Sequence, residues 1–282
     1  MAKPVLKWVG GKRQLLGELT NRLPNSNIKH YIEPFFGGGA LFFEIWERVE
    51  SAHLSDSNFG LMGLYSAIKN TPHRLIGLFD EPPFNINSPE AFLEVKALYN
   101  DTQTESLVRA ASFLYLNKTG FNGLFRVNKK GMFNVPYGKN PKANICDMNI
   151  IMDAHNAFQI AQLSTRSFHT VKFDFSEELM EGKNPNDFFV YFDPPYVPVT
   201  DTANFTSYTA DGFGYQHQVD LKELCDFLTN KGIRWMQSNS YTPQVLDLYK
   251  NYVIDEVKAR RNVNSDATKR GKVSEAIIRN YK

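Results

Sequence analysis

The segment Phe188-Phe189-Val190-Tyr191-Phe192-Asp193-Pro194-Pro195-Tyr196 constrains the fold of this chain more than any other. An unbroken apolar run of this kind, with no polar alternation, describes a buried strand. Asp193 and the prolines stop it at once. Neither proline donates a ladder hydrogen bond, and each fixes its own φ. The stiff turn holds a carboxylate at Asp193, the carbonyl of Pro194 and the aromatic face of Tyr196 in one place. A planar heterocycle with an exocyclic amine needs such a set: two acceptors for its N–H bonds and a π-face for its ring. The same string also suits a Pro-Pro turn that only closes a core strand.

The N-terminal part supplies the rest of a sheet. Tyr31-Ile32-Glu33 forms a short first strand, and residues 40–49 a helix with Leu41, Ile45 and Val49 at helical spacing. Residues 52–56 form a second strand and 60–68 a second helix. This β-α-β-α opening predicts an α/β fold, a doubly wound sheet. The pattern then lapses. Helix-like stretches at 90–99 and 105–117 precede a Gly/Asn/Lys-rich segment, 121–137, that has Lys130-Gly131 as its turn and forms a hairpin. Residues 60–145 are therefore expected to be an inserted subdomain, with 1–59 and 146–282 forming the sheet domain. After Asp147 the strand-helix pattern returns: strands at 169–173, 188–192, 233–237, 252–258 and 273–280, with a helix at 219–228.

Gly37-Gly38-Gly39 falls between the first strand and its helix, where glycines allow a tight turn and close approach to a ligand. Asp56 ends the second strand 19 positions after Gly37, a spacing that suits a carboxylate accepting from ribose hydroxyls. The third glycine of the pyrophosphate fingerprint is absent. The residues alone thus point to a nucleoside-containing cofactor, away from NAD and open to S-adenosylmethionine.

With a formal net charge of only +2, overall charge says little about nucleic acid. Phosphate contacts must come from local clusters: Lys129-Lys130, Lys139 with Lys142, Arg260-Arg261, and Lys269-Arg270 with Lys272. Cys146 and Cys225 are far apart and lack metal-ligand spacing, as do the histidines, so neither a disulfide framework nor a metal site is expected. No apolar run approaches the roughly 20 residues that span a bilayer, and the N-terminus has no signal-peptide pattern. The chain is expected to be soluble and cytoplasmic.

Taken in order, Lys7-Trp8-Val9-Gly10-Gly11-Lys12, Glu33-Pro34-Phe35-Phe36-Gly37-Gly38-Gly39, Leu54-Ser55-Asp56-Ser57-Asn58, Phe121-Asn122-Gly123-Leu124-Phe125-Arg126-Val127-Asn128, Phe133-Asn134-Val135-Pro136-Tyr137-Gly138, the Asp193 turn and Thr202-Ala203-Asn204-Phe205-Thr206 resemble the Dam-type DNA adenine-N6 methyltransferases. The likeness runs from Lys7 to about Tyr281. It implies a Rossmann-like methyltransferase sheet, S-adenosylmethionine as methyl donor with S-adenosylhomocysteine as product, and double-stranded DNA as substrate. It places Trp8 and Lys12 at the methionine end of the cofactor, Phe35 along the site and Asp174 near the adenine amine of the cofactor. It implies that Asp193 and the Pro194 carbonyl take the N6 hydrogens of a flipped adenine stacked on Tyr196. Residues 197–213 would form a lid. Arg126 would read a guanine, Lys7 another, Leu124 and Pro136 would touch bases apolarly, and Asn122 would help at the displaced pair. The implied target is GATC, although Phe125 and Val127 depart from the family's hairpin. A cognate restriction enzyme is a possible partner.

Three other readings remain. A cytosine-N4 methyltransferase would serve its amine with the same two acceptors, but typically carries Ser where Asp193 stands. RNA and protein-glutamine methyltransferases usually show Asn-Pro-Pro-Tyr and lack the hairpin. A DNA-binding relative without catalysis would have a broken cofactor site, whereas Gly37, Asp56 and Asp193 are all present.

Overall fold

The computed structural model describes residues 2–25, 27–196, 213–260 and 272–282. The expected lid over 197–213, up to residue 212, and the basic residues 261 and 269–270 lie outside the described residues.

Strands β1 (His30–Glu33), β2 (Ser51–Asp56), β3 (Ala161–Thr165), β4 (Phe188–Phe192), β5 (Arg234–Ser240), β6 (Val253–Arg260) and β7 (Lys272–Arg279) build one sheet in the order β3-β2-β1-β4-β5-β7-β6. The first five run parallel, and β7 lies antiparallel to both its neighbours. The helices along the chain are α1 (Leu16–Thr20), α2 (Ala40–Ile45), α3 (Phe59–Asn70), α4 (Pro72–Gly77), α5 (Pro89–Asn100), α6 (Ser106–Thr119), α7 (Met148–Phe158), α8 (Glu177–Met180), α9 (Tyr215–Asn230) and α10 (Pro243–Leu248). This is the Rossmann-like, mostly parallel sheet that the strand-helix pattern predicts.

The apolar run of β4 has a simple cause. Every residue in it is buried, and successive side chains enter opposite cores. Phe189 and Tyr191 join the core that holds Tyr31, Leu54 and the α3 and α6 side chains. Phe188, Val190 and Phe192 join Ile32, Leu221 and Trp235 on the other face. Each such side chain contributes on the order of 1.5–3 kcal/mol by leaving water.

The first core continues without a break from the sheet through α3 and α6 to Phe125 and Phe133 of the hairpin. The hairpin itself is an irregular ribbon with bridges at Gly120–Tyr137 and Val127–Phe133. Asn128 shapes its turn: its side-chain oxygen accepts from Lys130 N at 2.9 Å and Met132 N at 3.1 Å.

One expected strand is corrected. Residues 168–175 form a 3-10 helix, not a strand over 169–173. Phe168, Val171 and Phe175 are the buried ones, a spacing of three and four that one helical face satisfies and a strand does not. The strand in this part of the chain is β3, a sheet edge whose polar sequence Ala-Gln-Leu-Ser-Thr leaves all but Ala161 exposed or half-exposed.

Candidate active site

The chain builds β1, β2 and β3 outward in one direction, then crosses back to lay β4 on the other side of β1. Ligands of such sheets bind where the order reverses, beyond the carboxyl ends of the strands. Here that place lies between the glycine loop after β1 and the Asp193 turn after β4.

Gly37 and Gly39 have φ of +47° and +65°, a region that side chains with a Cβ avoid. Gly37 also has no room, since a Cβ there would come within 2.8 Å of Trp8 Cδ1. The loop is tied down from three directions. Gly37 N donates to Asp56 Oδ2 at 2.9 Å, Asn58 N donates to Asp56 Oδ1 at 2.9 Å, and Tyr65 OH donates to the Gly37 carbonyl at 2.7 Å. Burial pushes the Asp56 carboxyl up, while backbone N–H groups of Asn58, Gly37 and Ser57 pull it down. Asp56 thus organises the loop itself, with lone pairs left for a ligand hydroxyl.

Across the switch point, Asp193 Oδ1 receives Lys12 Nζ at 2.6 Å. The same ammonium donates to the Gly10 carbonyl at 2.7 Å and lies 4.6 Å from the centroid of the Tyr196 ring. Lys12 is itself buried, at 6% exposure, while Asp193 keeps 18%. Burial pushes the Asp193 carboxyl up to about 6. Lys12 opposes this by charge and hydrogen bond, and Glu275 adds to it. Tyr196 donates its hydroxyl to Glu275 Oε2 on β7. The turn is also held from behind: Asn239 Nδ2 donates to Gln218 Oε1 at 3.0 Å, and Gln218 Nε2 donates to the Pro195 carbonyl at 3.3 Å.

Glu33, at the end of β1, is buried and accepts from Tyr31 OH at 2.8 Å. Burial drives its carboxyl well above the usual carboxylate range. Phe35 stacks on Phe168 at 5.2 Å and meets the edge of Phe213 at 5.8 Å. Asp174 is gripped by the Arg166 fork, with Nη1 to Oδ1 at 2.8 Å and Nη2 to Oδ2 at 2.5 Å. Arg166 N in turn donates to the Asp56 carbonyl at 3.1 Å, so Asp174 is tied to the end of β2.

Trp8 joins this site to the hairpin. One side of it packs against the glycine loop. Its ring stacks on Phe125 at 5.9 Å and Phe113 at 6.3 Å. The hairpin has two faces, as alternation along a ribbon dictates. Gly123, Phe125, Phe133 and Val135 point inward, while Asn122, Arg126 and Pro136 are exposed and Leu124 is half-buried between them. Arg126 Nε donates to Asn134 Oδ1 at 2.8 Å. Asn122 has φ of +55°. Asn117 clamps Lys7 to the base of the ribbon: its side chain accepts from Lys7 N at 3.2 Å and donates to the Lys7 carbonyl at 2.8 Å and the Gly123 carbonyl at 3.1 Å. A Cβ on Gly123 would lie 2.8 Å from Lys7 Cβ. Lys7 is therefore a neighbour of the hairpin despite its distance in sequence.

The structure thus gathers Lys12, Asp193 and Tyr196 in one cluster, Gly37 and Asp56 in a second, and Lys7 with the hairpin in a third. Glu33, Gln218, Asn239 and Glu275 were not singled out from sequence. Asn239 did leave a signal, as part of the polar run Gln237-Ser238-Asn239-Ser240 inside a strand that is buried along nearly its whole length. Polar side chains in such a place must have partners. Among the described residues no cluster of metal-ligating side chains occurs, and no helix is long and apolar enough to cross a membrane. Both cysteines are free.

A mostly parallel sheet with a glycine loop and an acidic turn facing each other at its switch point defines a methyltransferase of the Rossmann-like type. The family is shown by comparison. The model for the D12 class N6 adenine-specific DNA methyltransferases matches residues 8–263, and the chain belongs to that family. It is 38% identical over 282 residues to the Type II methyltransferase M1.LlaDCHI of Lactococcus lactis subsp. cremoris, covering 99% of this chain and 95% of that one. It is also 38% identical to the Type II methyltransferase M.MjaIII of Methanocaldococcus jannaschii, covering 99% of each. The DNA adenine methylase of Vibrio cholerae is 32% identical over 96% of this chain and 94% of its own. The protein is an adenine-specific DNA methyltransferase.

Proposed function

We propose that this enzyme methylates adenine N6 in duplex DNA at GATC, using S-adenosylmethionine and a base flipped out of the helix. The observation that carries the reading is the Asp193 turn, where a half-buried carboxylate, a buried lysine and an aromatic ring converge at the switch point beside the glycine loop. Residues 1–59 and 146–282 make the catalytic part on this reading, and 60–145 the recognition part.

The residues present fit the cofactor. The loop carries backbone that only glycine adopts easily, Asp56 keeps lone pairs for ribose hydroxyls, and Phe35 offers a ring. Trp8, Lys12, Phe35, Gly37, Gly39, Asp56 and Asp174 would hold it. When bound, S-adenosylmethionine supplies an electrophilic methyl group and leaves as S-adenosylhomocysteine.

An adenine amine is a poor nucleophile because its lone pair is delocalised into the ring. Asp193 Oδ and the Pro194 carbonyl accept its two N–H bonds and draw the nitrogen toward tetrahedral geometry. The localised lone pair would then be aligned for the methyl group that the bound cofactor supplies, with the surplus N6 proton leaving to Asp193 or to water. The gain is positioning together with stabilisation of positive charge at N6. The Lys12 ammonium, now on the Tyr196 face and bonded to Asp193, stands where the amine and the ring would go, so the entering base takes over its contacts. N6 is out of reach inside a stacked duplex, which requires flipping. The outward face of the hairpin, with Arg126, Leu124, Asn122 and Pro136, reads the flanking bases beside Lys7; a two-stranded ribbon fits the major groove.

A cytoplasmic enzyme paired with a cognate restriction endonuclease suits the naming of the two 38% relatives as Type II methyltransferases. The test of the whole reading is to incubate the protein with S-adenosylmethionine and mixed-sequence duplex DNA and map the modified bases. N6-methyladenine confined to GATC is expected. Methylation at another sequence would remove the GATC assignment, and methylcytosine would remove the adenine site.

A further inference from the structure

Tyr196 is gripped by a residue outside every motif considered above. Glu275 lies on β7, opposite Ser240 of β5 and Val257 of β6, and its Oε2 accepts the Tyr196 hydroxyl. The face of the ring is met by Lys12, whose Nζ stands 4.6 Å from the centroid. Edge and face are thus fixed by different elements, β7 and the N-terminal segment.

We propose that Glu275 is a positioning residue for methyl transfer: through the Tyr196 hydroxyl it sets the angle of the ring and enriches its face in electrons. This rests on the reading that Tyr196 stacks on the flipped adenine. A phenol that donates to a carboxylate makes a charge-assisted hydrogen bond, stronger and more directional than a neutral one. It also shifts electron density from oxygen toward the ring. The face of an electron-rich ring attracts positive charge, as it already attracts Lys12. Positive charge appears on the adenine amine as the N–C bond forms, so the bond from Glu275 matters more in the transition state than in the bound ground state. Glu275 also stands near enough to Asp193 to raise its carboxyl, which independently places β7 at the reaction centre.

A double-mutant cycle tests this. Single-turnover methylation rates and DNA affinities are measured for the wild type, Glu275→Ala, Glu275→Gln, Tyr196→Phe and the Tyr196→Phe/Glu275→Ala pair. Glu275→Ala should slow transfer roughly tenfold to a hundredfold, the loss of one charge-assisted bond, with DNA affinity changed less than about twofold. Glu275→Gln keeps an acceptor oxygen and should recover part of the rate. In the Tyr196→Phe background Glu275→Ala should have no further effect. Additive losses would overturn the proposal, as would a fall confined to DNA affinity or thermal stability. Should Glu275→Ala not fold, the Glu275→Gln and Tyr196→Phe pair gives the same cycle. A 2-aminopurine at the target position separates this inference from the one beneath it. If the wild type gives no fluorescence rise on binding, base flipping is wrong; if it does and the cycle is additive, only Glu275 is misassigned.

Discussion

The Asp193 turn, proposed as the reaction centre, and the hairpin, proposed as the recognition element, solve opposite problems. At the end of β4, ionisable groups are pulled into the fold, and Asp193 is pushed up to about 6 by burial despite a lysine at 2.6 Å. On the hairpin Asn122, Arg126 and Pro136, proposed to face the DNA, stay in solvent, and the fold invests its packing in the other face, where Phe125 and Phe133 enter the core. The centre works by controlling the electrostatics of a few atoms. The hairpin works as a platform whose underside is fixed so that its upper side can be presented in register. Mutations in the two regions should therefore fail differently: the first in rate with affinity retained, the second in stability or sequence choice with chemistry retained.

The largest effect expected is at the centre. Asp193→Ala should lower kcat by about 10²–10⁴-fold, the range for removing a group that acts on the reacting atoms. DNA affinity should change little, because phosphate contacts carry most of it. Turnover and filter-binding measured on one preparation decide this; wild-type turnover in the variant would end the proposed mechanism.

Next in size is the platform. Phe125→Ala removes a buried ring from the Trp8–Phe113 stack and should cost about 3–5 kcal/mol in urea unfolding. A loss below roughly 1 kcal/mol would mean that the hairpin is not held from beneath.

Sequence choice gives a smaller and more selective signal. Arg126→Ala should cost ~1–3 kcal/mol in discrimination at the single guanine it is proposed to read. Lys7→Ala should relax a different guanine, although Asn117 holds Lys7 against the same ribbon. Values of kcat/KM on GATC and on each single-base variant at fixed salt separate the two. A uniform fall across all duplexes for Arg126→Ala would make it a backbone clamp.

The smallest effect is a shift along the pH axis. Asp193 accepts from an amine only as the carboxylate, so kcat/KM should fall on the acid side with a limb near pH 6. Lys12 lowers that value, while burial and Glu275 raise it. In Lys12→Ala the limb should therefore move to higher pH, whatever the loss in plateau rate. A limb that stays in place would show that Lys12 does not keep Asp193 ionised.

How much of this was legible in the sequence depended on whether a residue's cause lay nearby in the chain. The apolar run of β4, the glycine loop and Asp56 announce themselves, because turn and strand chemistry is local. The outward and inward faces of the hairpin follow from alternation. β3 escaped notice because an edge strand needs little apolar character, and residues 168–175 were misread although Phe168, Val171 and Phe175 carry helical spacing. Glu275 could not be seen. It meets Tyr196 across 79 residues of sequence, and nothing about a glutamate beside the buried run Ala276-Ile277-Ile278 betrays such a partner. Gln218 reaches Pro195 across 23 residues and is hidden for the same reason.

The position of Trp8 between the glycine loop and Phe125 bears on how such enzymes can diversify. Residues on the underside of the ribbon share one wall with the loop expected to hold the methyl donor, so a change of size at Phe125 is transmitted to the donor's seat. Arg126 and Pro136 carry no such tie, while Leu124 rests part of its side chain on the same core. If the ribbon reads DNA as proposed, a lineage acquiring a new target word, or an engineer imposing one, disturbs the donor's seat least by rewriting Arg126 and Pro136, whereas Phe125 is tied to it through Trp8.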